Sequence, residues 1–250
     1  MTNTDRSELA FGIDIGGSGM KAAVVDLATG ALVTERYRID TPQPATPDAM
    51  AEVVVELVRH NDWTSSVGCA FPAVVNNGIV GSAANIDASW IDVNADELFT
   101  AALGAHVHMI NDADAAGLAE VRYGPPEAQS GVVMMLTFGT GIGSGLFVDG
   151  ILVPNTELGH LELDGHDAEK RAAASAKKRD DLSWNEWGRR VERYLEHVEA
   201  LFTPDLFIIG GGASKKTERW LDEVEIKTPI AVASMANNAG IVGAALIAPD

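Results

Sequence analysis

Residues 11–21 read FGIDIGGSGMK, a strand and glycine turn whose pattern recurs later in the chain. A short apolar strand carries the carboxylate of Asp14 near its end, and Lys21 follows the turn. Glycine turns bring backbone N–H groups close to an anion, and the two charged residues suit a hydrated divalent cation and phosphate oxygens. The stretch therefore predicts a phosphate-binding turn, with a plain glycine hairpin as the alternative. The turn residues are Gly16, Gly17, Ser18 and Gly19.

Composition narrows the class of protein. The chain has 250 residues, of which 46% are hydrophobic, enough for one large or two modest domains. Its single cysteine excludes an internal disulfide and a multi-cysteine metal site. A net charge of −18 argues against nucleic-acid binding. The first residues, MTNTDRSELA, lack an apolar signal core, and no apolar run is long enough to span a bilayer. We therefore expect a cytoplasmic protein with neither nucleic-acid nor membrane partners.

The order of elements in the first part of the chain predicts an α/β architecture with a mixed sheet. Apolar residues first recur at the strand period of two, which predicts three consecutive strands. Segments with the helical period of about 3.6 then alternate with further strands. The predicted strands are 9–15, 20–27, 31–39, 67–71, 78–82 and 106–110, and the predicted helices are 47–60 and 95–103.

The pattern then starts again with an apolar strand and a second glycine turn. This repetition predicts two related lobes that face each other across a cleft. We place them at 1–110 and 111–236, with a closing helix of about 237–250 packing back on the first lobe. The predicted strands of the second lobe are 131–138, 145–149, 205–210 and 229–233, and the helices are 168–178, 183–202 and one from about 215.

Two further glycine turns suit a phosphoryl donor. Residues 137–145, TFGTGIGSG, offer hydroxyl and amide donors, with Thr140 and Gly141 at the centre. Residues 208–214, IIGGGAS, end a buried strand and let a nucleotide base or ribose approach the backbone at Gly211 and Gly212. The alternatives are a plain glycine hairpin and an ordinary helix start.

Five segments in order resemble the motifs of the fold that actin, heat-shock ATPases and sugar kinases share. They are DIGGSGMK, NDADAAG, TFGTGIGSG, IIGGGAS and NNAGIVGAAL. The closer resemblance is to the ROK (repressor, open reading frame, kinase) sugar kinases, and it covers nearly the whole chain. It implies an α/β, two-lobed actin-like ATPase fold with a ribonuclease H-like mixed sheet in each lobe and a phosphoryl donor in the cleft. It also implies a homodimer.

The resemblance assigns roles to residues that alone have simpler interpretations. It implies that Asp112 is the catalytic base and binds the sugar with Asn111 and Asn85, although an Asn-Asp pair at a strand end is more often a helix cap. ELGH is similar to the family's ExGH motif, so Glu157 and His160 are expected to bind sugar hydroxyls. The later Glu169 matches the family more loosely. The donor-binding set is Asp14, also the expected Mg²⁺ ligand, with Gly16, Gly17, Ser18, Gly19, Lys21, Thr140, Gly141, Gly211 and Gly212.

One segment departs from the family. ROK kinases usually carry a CxCGxxGC zinc site after ExGH, whereas this chain has GHLELDGHDAEKRAAASAKKRDDLSW without a cysteine, so we expect no zinc. Eight of the 18 lysines and arginines fall within 170–193. Such a local excess of positive charge suits a polyanion, and a solvated helix face is the alternative. The polyphosphate track that we expect consists of Lys170, Arg171, Lys177, Lys178 and Arg179.

This departure resembles the actinobacterial branch of the family that phosphorylates glucose from polyphosphate. The expected activity is transfer of a phosphoryl group from polyphosphate, and from ATP, to the 6-hydroxyl of glucose. The alternatives are a kinase of hexose or N-acetylhexosamine that uses only ATP, a non-catalytic sugar sensor, and a structural or chaperone ATPase. The missing zinc segment argues against the kinase that uses only ATP. The missing DNA-binding helices argue against the sensor, and the sugar motifs argue against the structural or chaperone ATPase.

Overall fold

The structure is a computed structural model that describes residues 8–83 and 86–248. None of the helices in these two ranges is long and apolar enough to cross a membrane.

The first part of the chain contains eight strands and three helices within the described residues. In chain order they are β1 (Leu9–Ile15), β2 (Met20–Asp26), β3 (Ala31–Leu32), β4 (Tyr37–Ile39), α1 (Pro47–His60), β5 (Val67–Phe71), β6 (Val75–Asn76), β7 (Ile79–Val80), α2 (Ala95–Leu103), β8 (Val107–Asn111) and α3 (Asp112–Tyr123).

The second part continues with strands, short helices and one long helix. In chain order they are β9 (Val132–Phe138), β10 (Ile142–Val148), β11 (Ile151–Val153), β12 (Glu162–Leu163), β13 (His166–Asp167), α4 (Glu169–Ala172), α5 (Ala174–Arg179), α6 (Trp184–Phe202), β14 (Leu206–Gly210), β15 (Ile230–Val232) and α7 (Ala239–Leu246). A 3-10 segment, Gly212–Arg219, follows β14.

The described chain forms two compact units. Unit 1 contains the residues up to Ala119 together with those from Asn237 onward, and unit 2 contains Glu120–Ala236. The division falls inside α3, and α7 returns to unit 1. The lobe boundary at residue 110 stays a prediction.

Unit 1 is built on a mixed sheet in the order β3-β2-β1-β5-β8, and β4 also pairs with β2. β1 and β2 are antiparallel, with Asp14 opposite Lys21. β5 is parallel to both β1 and β8. The carboxyl ends of these three parallel strands share one edge of the sheet, which is where ligands bind in open α/β sheets.

Two glycines explain how α7 packs on this sheet. Gly12 of β1 and Gly68 of β5 are paired neighbours, and a Cβ at either would overlap the carbonyl of Ile241 or Ala244 in α7. The helix backbone therefore lies directly against the two strands. Side chains alternate along a strand, so the buried residues beside Gly12 point to the opposite face, where the apolar side of α1 belongs to the same core.

Unit 2 repeats the sheet order as β11-β10-β9-β14-β15. β9 and β10 are antiparallel, whereas β14 is parallel to both β9 and β15. Its core is aromatic: Phe138 lies edge-on to Trp187 and Tyr194, with ring centroids 6.1 and 6.2 Å apart. Both partners come from α6, which begins with a capping box between Ser183 and Glu186.

Three predicted elements differ in the structure, each for a local reason. The strand predicted over 31–39 is interrupted, because the hydroxyl of Thr34 takes the Val24 N–H that a continuous strand would bond with its backbone. The helix predicted over 168–178 breaks at Ala173, which is extended, and the indole N–H of Trp187 donates to the carbonyls of Ala172 and Ala173. The helix predicted after Gly212 is a 3-10 segment, non-helical at Lys216.

The remaining corrections concern strand bounds. β10 begins at Ile142, earlier than the predicted 145, because its backbone pairs with β9 up to the turn itself. The prediction over 78–82 shortens to β7, which forms a small hairpin with β6. Sequence reasoning missed β11 and the hairpin of β12 and β13, which are too short to show an alternating pattern.

Candidate active site

The first glycine turn closes the hairpin of β1 and β2 at residues 16–19. The N–H of Gly16 donates to the carbonyl of Gly19 over 3.1 Å, and the Thr41 hydroxyl donates to the carbonyl of Gly16. On the strands beside the turn, the ammonium of Lys21 lies 2.9 Å from the carboxylate of Asp14, and both are partly buried. The turn is thus held by its own backbone and carries one ion pair at its base.

Arg38 also lies on this turn, and sequence reasoning missed it. It is paired with Lys21 across β2 and β4, and its guanidinium donates to the carbonyl of Ser18 over 2.8 Å. A Cβ at Gly19 would lie 2.5 Å from the same guanidinium, so a side chain there would displace Arg38 from the turn. A register for the hairpin of β2 and β4 would have revealed Arg38, because residues opposite each other share a face.

The start of α7 approaches Asp14 closely. A Cβ at Gly240, in the first turn of α7, would lie 2.9 Å from the carboxylate carbon of Asp14. The absence of a side chain lets the helix backbone reach the carboxylate, and the positive end of a helix dipole favours negative charge there.

The pair Asn111-Asp112 lies where β8 passes into α3. Asn111 is the helix cap: its side-chain oxygen accepts from the N–H groups of Ala113 (2.8 Å) and Asp114 (3.1 Å), and its amide donates to the carbonyl of Ala73. Asp112 is the exposed first residue of α3, next to this buried cap. The geometry thus assigns capping to Asn111, and the catalytic role of Asp112 stays a prediction. Asn85 lies outside the described residues.

The second glycine turn joins β9 to β10 at residues 139–141 in unit 2. The N–H of Gly139 donates to the carbonyl of Gly141 over 3.0 Å. Ser175 of α5 binds the turn twice, since its N–H donates to the carbonyl of Gly139 (3.1 Å) and its hydroxyl to that of Thr140 (2.6 Å). Ser175 lies within the basic segment 170–193 and therefore attaches that segment to the turn.

The third glycine turn lies beside the second. Gly210 at the end of β14 is paired with Thr137 of β9. Gly211 has a positive φ of 77°, and a Cβ there would lie 2.7 Å from backbone atoms of Phe138. Only glycine fits this left-handed, close approach, so the two predicted donor turns meet at one edge of the unit 2 sheet.

Glu157, His160 and Glu169 are gathered near the second turn. A carboxylate oxygen of Glu169 accepts from the N–H of Ile142 at 3.2 Å, and a Cβ at Gly141 would overlap it. The hydroxyl of Ser144 in β10 accepts from the N–H of Leu158, which holds the 3-10 turn Leu158–His160 on the strand.

The three side chains also interact through charge. His160 lies 4.0 Å from Glu157. Burial raises the pKa of Glu157, His160 opposes this rise, and the negative charge of Glu169 adds to it. A carboxylate with a raised pKa beside an imidazole offers directed acceptors and a donor for the hydroxyls of a sugar.

The predicted polyphosphate track is partly engaged in local bonds. The Lys170 ammonium lies 2.9 Å from Asp167, and Arg179 binds Asp180 over 2.8 Å. Hydrogen bonds from Arg179 and Arg190 lower the pKa of Asp180 to about 2. The ammonium of Lys177 donates to the carbonyl of Leu182, and Lys178 is exposed. Both the solvated-face alternative and the track hypothesis remain consistent with this arrangement.

An aromatic ring at the start of α6 gathers three cations. The Lys177 ammonium lies 4.6 Å from the centroid of the Trp184 ring, Lys216 lies at 5.8 Å and the Arg219 guanidinium at 5.9 Å. Lys216 and Arg219 follow the third glycine turn, so the cluster joins the two segments that extend from the donor turns. Sequence reasoning missed Trp184 and Arg219, because their proximity to Lys177 depends on the tertiary fold.

The comparisons with known proteins decide the family. Residues 10–177 match the ROK family. The chain belongs to the ROK family.

Similar proteins carry more specific names. The polyphosphate glucokinase of Mycobacterium tuberculosis (strain CDC 1551 / Oshkosh) is 50% identical over 94% of this chain and 89% of its own length. That of Mycobacterium leprae (strain TN) is 50% identical over 94% of this chain and 73% of its own. The inorganic polyphosphate/ATP-glucomannokinase of Arthrobacter sp. strain KM superposes with a TM-score of 0.89 and 51% identity, covering 95% of this chain and 97% of that one.

These matches confirm two predictions from the sequence. The resemblance to ROK kinases is confirmed by the family match and by the relatives. The α/β fold of the actin-like ATPase type is confirmed by the structural match.

A divalent cation fits the residues of this ROK chain only in a restricted way. In the described part of the chain, no three His, Cys, Asp or Glu side chains are grouped closely enough to enclose a metal ion. Mg²⁺ keeps several waters and uses one or two carboxylates together with substrate phosphates, so the lone Asp14 carboxylate at the first turn fits it.

Proposed function

We propose that this ROK protein transfers a phosphoryl group from inorganic polyphosphate, and also from ATP, to the 6-hydroxyl of glucose. The observation that carries the proposal is identity of about half of all residues, over nearly the whole chain, with polyphosphate glucokinases and a polyphosphate/ATP-glucomannokinase. The matched stretch covers 94% of the chain and therefore extends into both units.

We assign the proton transfer to Asp112. As the 6-hydroxyl oxygen bonds to the terminal phosphorus of the donor, the bond from that phosphorus to the leaving phosphate oxygen breaks. The hydroxyl proton passes to the carboxylate of Asp112, which is exposed at the first position of α3. Asn111 keeps this carboxylate in place, since it caps the same helix. The products are glucose 6-phosphate and a donor shortened by one phosphate.

Each unit contains groups that suit the negative charge of a phosphoryl donor. In unit 1, Asp14 would hold Mg²⁺, which supplies positive charge to the donor oxygens when bound. Lys21 and Arg38 lie beside it on the first turn. In unit 2, the second and third turns supply amide and hydroxyl donors, which suit the oxygens of a phosphate chain.

The sugar is bound by Glu157, His160 and Glu169. Their carboxylates accept from sugar hydroxyls and the imidazole adds a directed bond. Because Glu169 also accepts from the N–H of Ile142, sugar binding and the shape of the second turn are linked through one carboxylate. Mannose presents the same 6-hydroxyl, and the name of the Arthrobacter relative favours it as a second acceptor.

The experiment that tests the proposal is formation of glucose 6-phosphate with Mg²⁺, comparing polyphosphate and ATP at matched phosphate concentration. We expect product from both donors and none when the divalent cation is chelated. Product from ATP alone would restrict the protein to an ATP-dependent hexose kinase. No product from either donor would overturn the proposed activity. A homodimer in the cytoplasm remains an expectation, which size-exclusion chromatography with light scattering and cell fractionation would test.

The basic track has its own test. Replacing Lys177 and Lys178 by glutamine should raise the KM for polyphosphate several-fold and make it less sensitive to salt, because fewer phosphate contacts release fewer counterions. The KM for ATP should change little. Arg179 is kept, since it is bonded to Asp180 and to the carbonyl of Lys170. Equal losses with both donors would contradict a track for the long chain.

A further inference from the structure

Unit 2 contains a small cavity whose described lining is dominated by arginine. It has a volume of about 210 Å³ and lies between the hairpin of β12 and β13, α4 and one face of α6. We call it the arginine pocket. Its lining comprises Arg171, Arg189, Arg190 and Arg193 with Leu163, Asp164, His166, Ala168 and Ala172.

Local bonds use only a small part of the pocket's donor capacity. Each guanidinium has five N–H groups. Among the described residues, Arg193 uses one for Asp164 at 2.9 Å, and Arg190 binds Asp180 at 2.6 Å and a carbonyl at 3.4 Å. Arg189 lies 3.6 Å from Glu223. Four cations therefore face one cavity whose described lining holds a single carboxylate.

Arg171 is held in place by a histidine of the pocket lining. Its guanidinium lies 2.8 Å from the Nε2 atom of His166. A guanidinium has only donors, so Nε2 is the acceptor of this contact. The histidine thus orients Arg171. The planar fork of arginine suits phosphate oxygens, and the apolar floor of Leu163, Ala168 and Ala172 strengthens charge-assisted bonds.

The pocket begins close to the second glycine turn. Glu169, which binds the N–H of Ile142 at that turn, and Arg171, which lines the pocket, are two residues apart in α4. The second turn and the pocket are therefore connected through one four-residue helix, α4.

We propose that the arginine pocket binds phosphate groups of a polyphosphate chain beyond the groups at the reaction centre. This rests on the proposed use of polyphosphate and adds Arg189 and Arg193 to the residues that contact the donor. A chain that fills the pocket must extend past the groups at the reaction centre, so we expect the pocket to raise affinity only for long chains.

The test is the double substitution Arg189→Gln and Arg193→Gln. Both side chains are exposed and paired with exposed or partly exposed acids, so the fold should tolerate the change. The matched control is Arg59→Gln with Arg122→Gln, which removes two exposed cations outside the pocket. We expect the KM for long-chain polyphosphate to rise about tenfold with kcat unchanged, because two charged contacts are lost. The KM values of the double substitution for tripolyphosphate and ATP should stay within about twofold of those of the unaltered protein, and so should all KM values of the control variant.

Three outcomes would overturn the proposal. One is an equal rise in KM for tripolyphosphate, which would place the arginines at the reaction centre. Another is an equal rise in the KM for long chains in the control variant, which would mean that the effect comes from net charge and not from the pocket. The last is an unchanged KM for long chains, which would show that they do not bind in the pocket.

A binding measurement separates this proposal from the proposed function. If the unaltered protein forms no product from polyphosphate, calorimetric titration with long-chain polyphosphate still reports on the pocket. Binding that the double substitution weakens and the control does not would keep the pocket and overturn the activity. Binding that neither variant changes would overturn the pocket as well.

Discussion

The first hairpin of each unit folds around a glycine turn, and the two turns differ in the charge at their base. In β1 and β2, the pair next to the turn-closing residues is Asp14 and Lys21, which form an ion pair. In β9 and β10, the pair at the same step is Thr137 and Gly143, neither of which is charged. The same sheet order thus carries a charged turn in unit 1 and a neutral one in unit 2.

Unit 2 acquires its charges from a different source. Glu169 and the segment that begins at Ser175 reach the second turn from outside the hairpin. Charged residues in a strand pair are held rigidly, which suits chemistry on the reacting atoms. Charged residues on an inserted segment can be substituted without altering the sheet. The comparison predicts that substitutions in unit 1 mainly lower kcat and that those in unit 2 mainly raise KM.

The largest expected effect is that of Asp112→Ala in unit 1. Removing the base should lower kcat by about 10²–10⁴ with either donor, and the KM for glucose should change much less. Steady-state rates with polyphosphate and ATP measure this. Asp48→Ala is the control, because Asp48 is also an exposed acid in the first turn of a unit 1 helix. A kcat for Asp112→Ala close to that of the control would remove Asp112 as the base.

The next effect concerns the charged turn itself. Asp14→Asn should lower kcat by about a hundredfold with both donors, since bound Mg²⁺ supplies several kcal/mol of charge stabilisation. The Mg²⁺ concentration that gives half-maximal rate should also rise. Thr137→Val, at the equivalent step of the neutral turn, should leave the Mg²⁺ requirement unchanged. If both substitutions alter that requirement alike, the contrast between the turns is wrong.

A smaller effect is expected at the neutral turn. Gly141→Ala would place a Cβ on the carboxylate of Glu169, whose displacement should raise the KM for glucose about tenfold with little change in kcat. Gly139→Ala is the matched control in the same turn, because a Cβ there contacts no described atom within 4 Å. Steady-state kinetics with varied glucose give both values. A dominant loss of kcat in Gly141→Ala would contradict the division between the units.

The hairpins and their turns were predictable from sequence because their contacts are local. Strand, glycine turn and strand lie within residues 9–26 in unit 1 and 132–148 in unit 2, so alternation and turn chemistry suffice to place Asp14 and Lys21 together. The buried face of α6 was predictable for the same reason, because Trp187, Val191 and Tyr194 recur at helical spacing.

Contacts between distant segments were not predictable in the same way. Nothing in the spacing of Ser175 indicates that its hydroxyl binds the Thr140 carbonyl, and the cavity that Arg171 shares with α6 depends on how α4 packs. The Asn-Asp pair shows the limit at one position: the residue type predicted a cap, but only the structure assigns it to Asn111.

The smallest effect is a shift in pH dependence at the sugar residues of unit 2. Burial raises the pKa of Glu157, so this carboxylate takes up its proton at a higher pH than an ordinary glutamate. If ionised Glu157 accepts from a glucose hydroxyl, the KM for glucose rises as the pH falls through that raised pKa. Glu169→Gln removes a negative neighbour and should move the rise to lower pH, whereas His160→Gln removes the opposing positive charge and should move it to higher pH. KM measured against pH for the three proteins tests the signs. Shifts in the same direction would mean that the two side chains act on the sugar and not through Glu157.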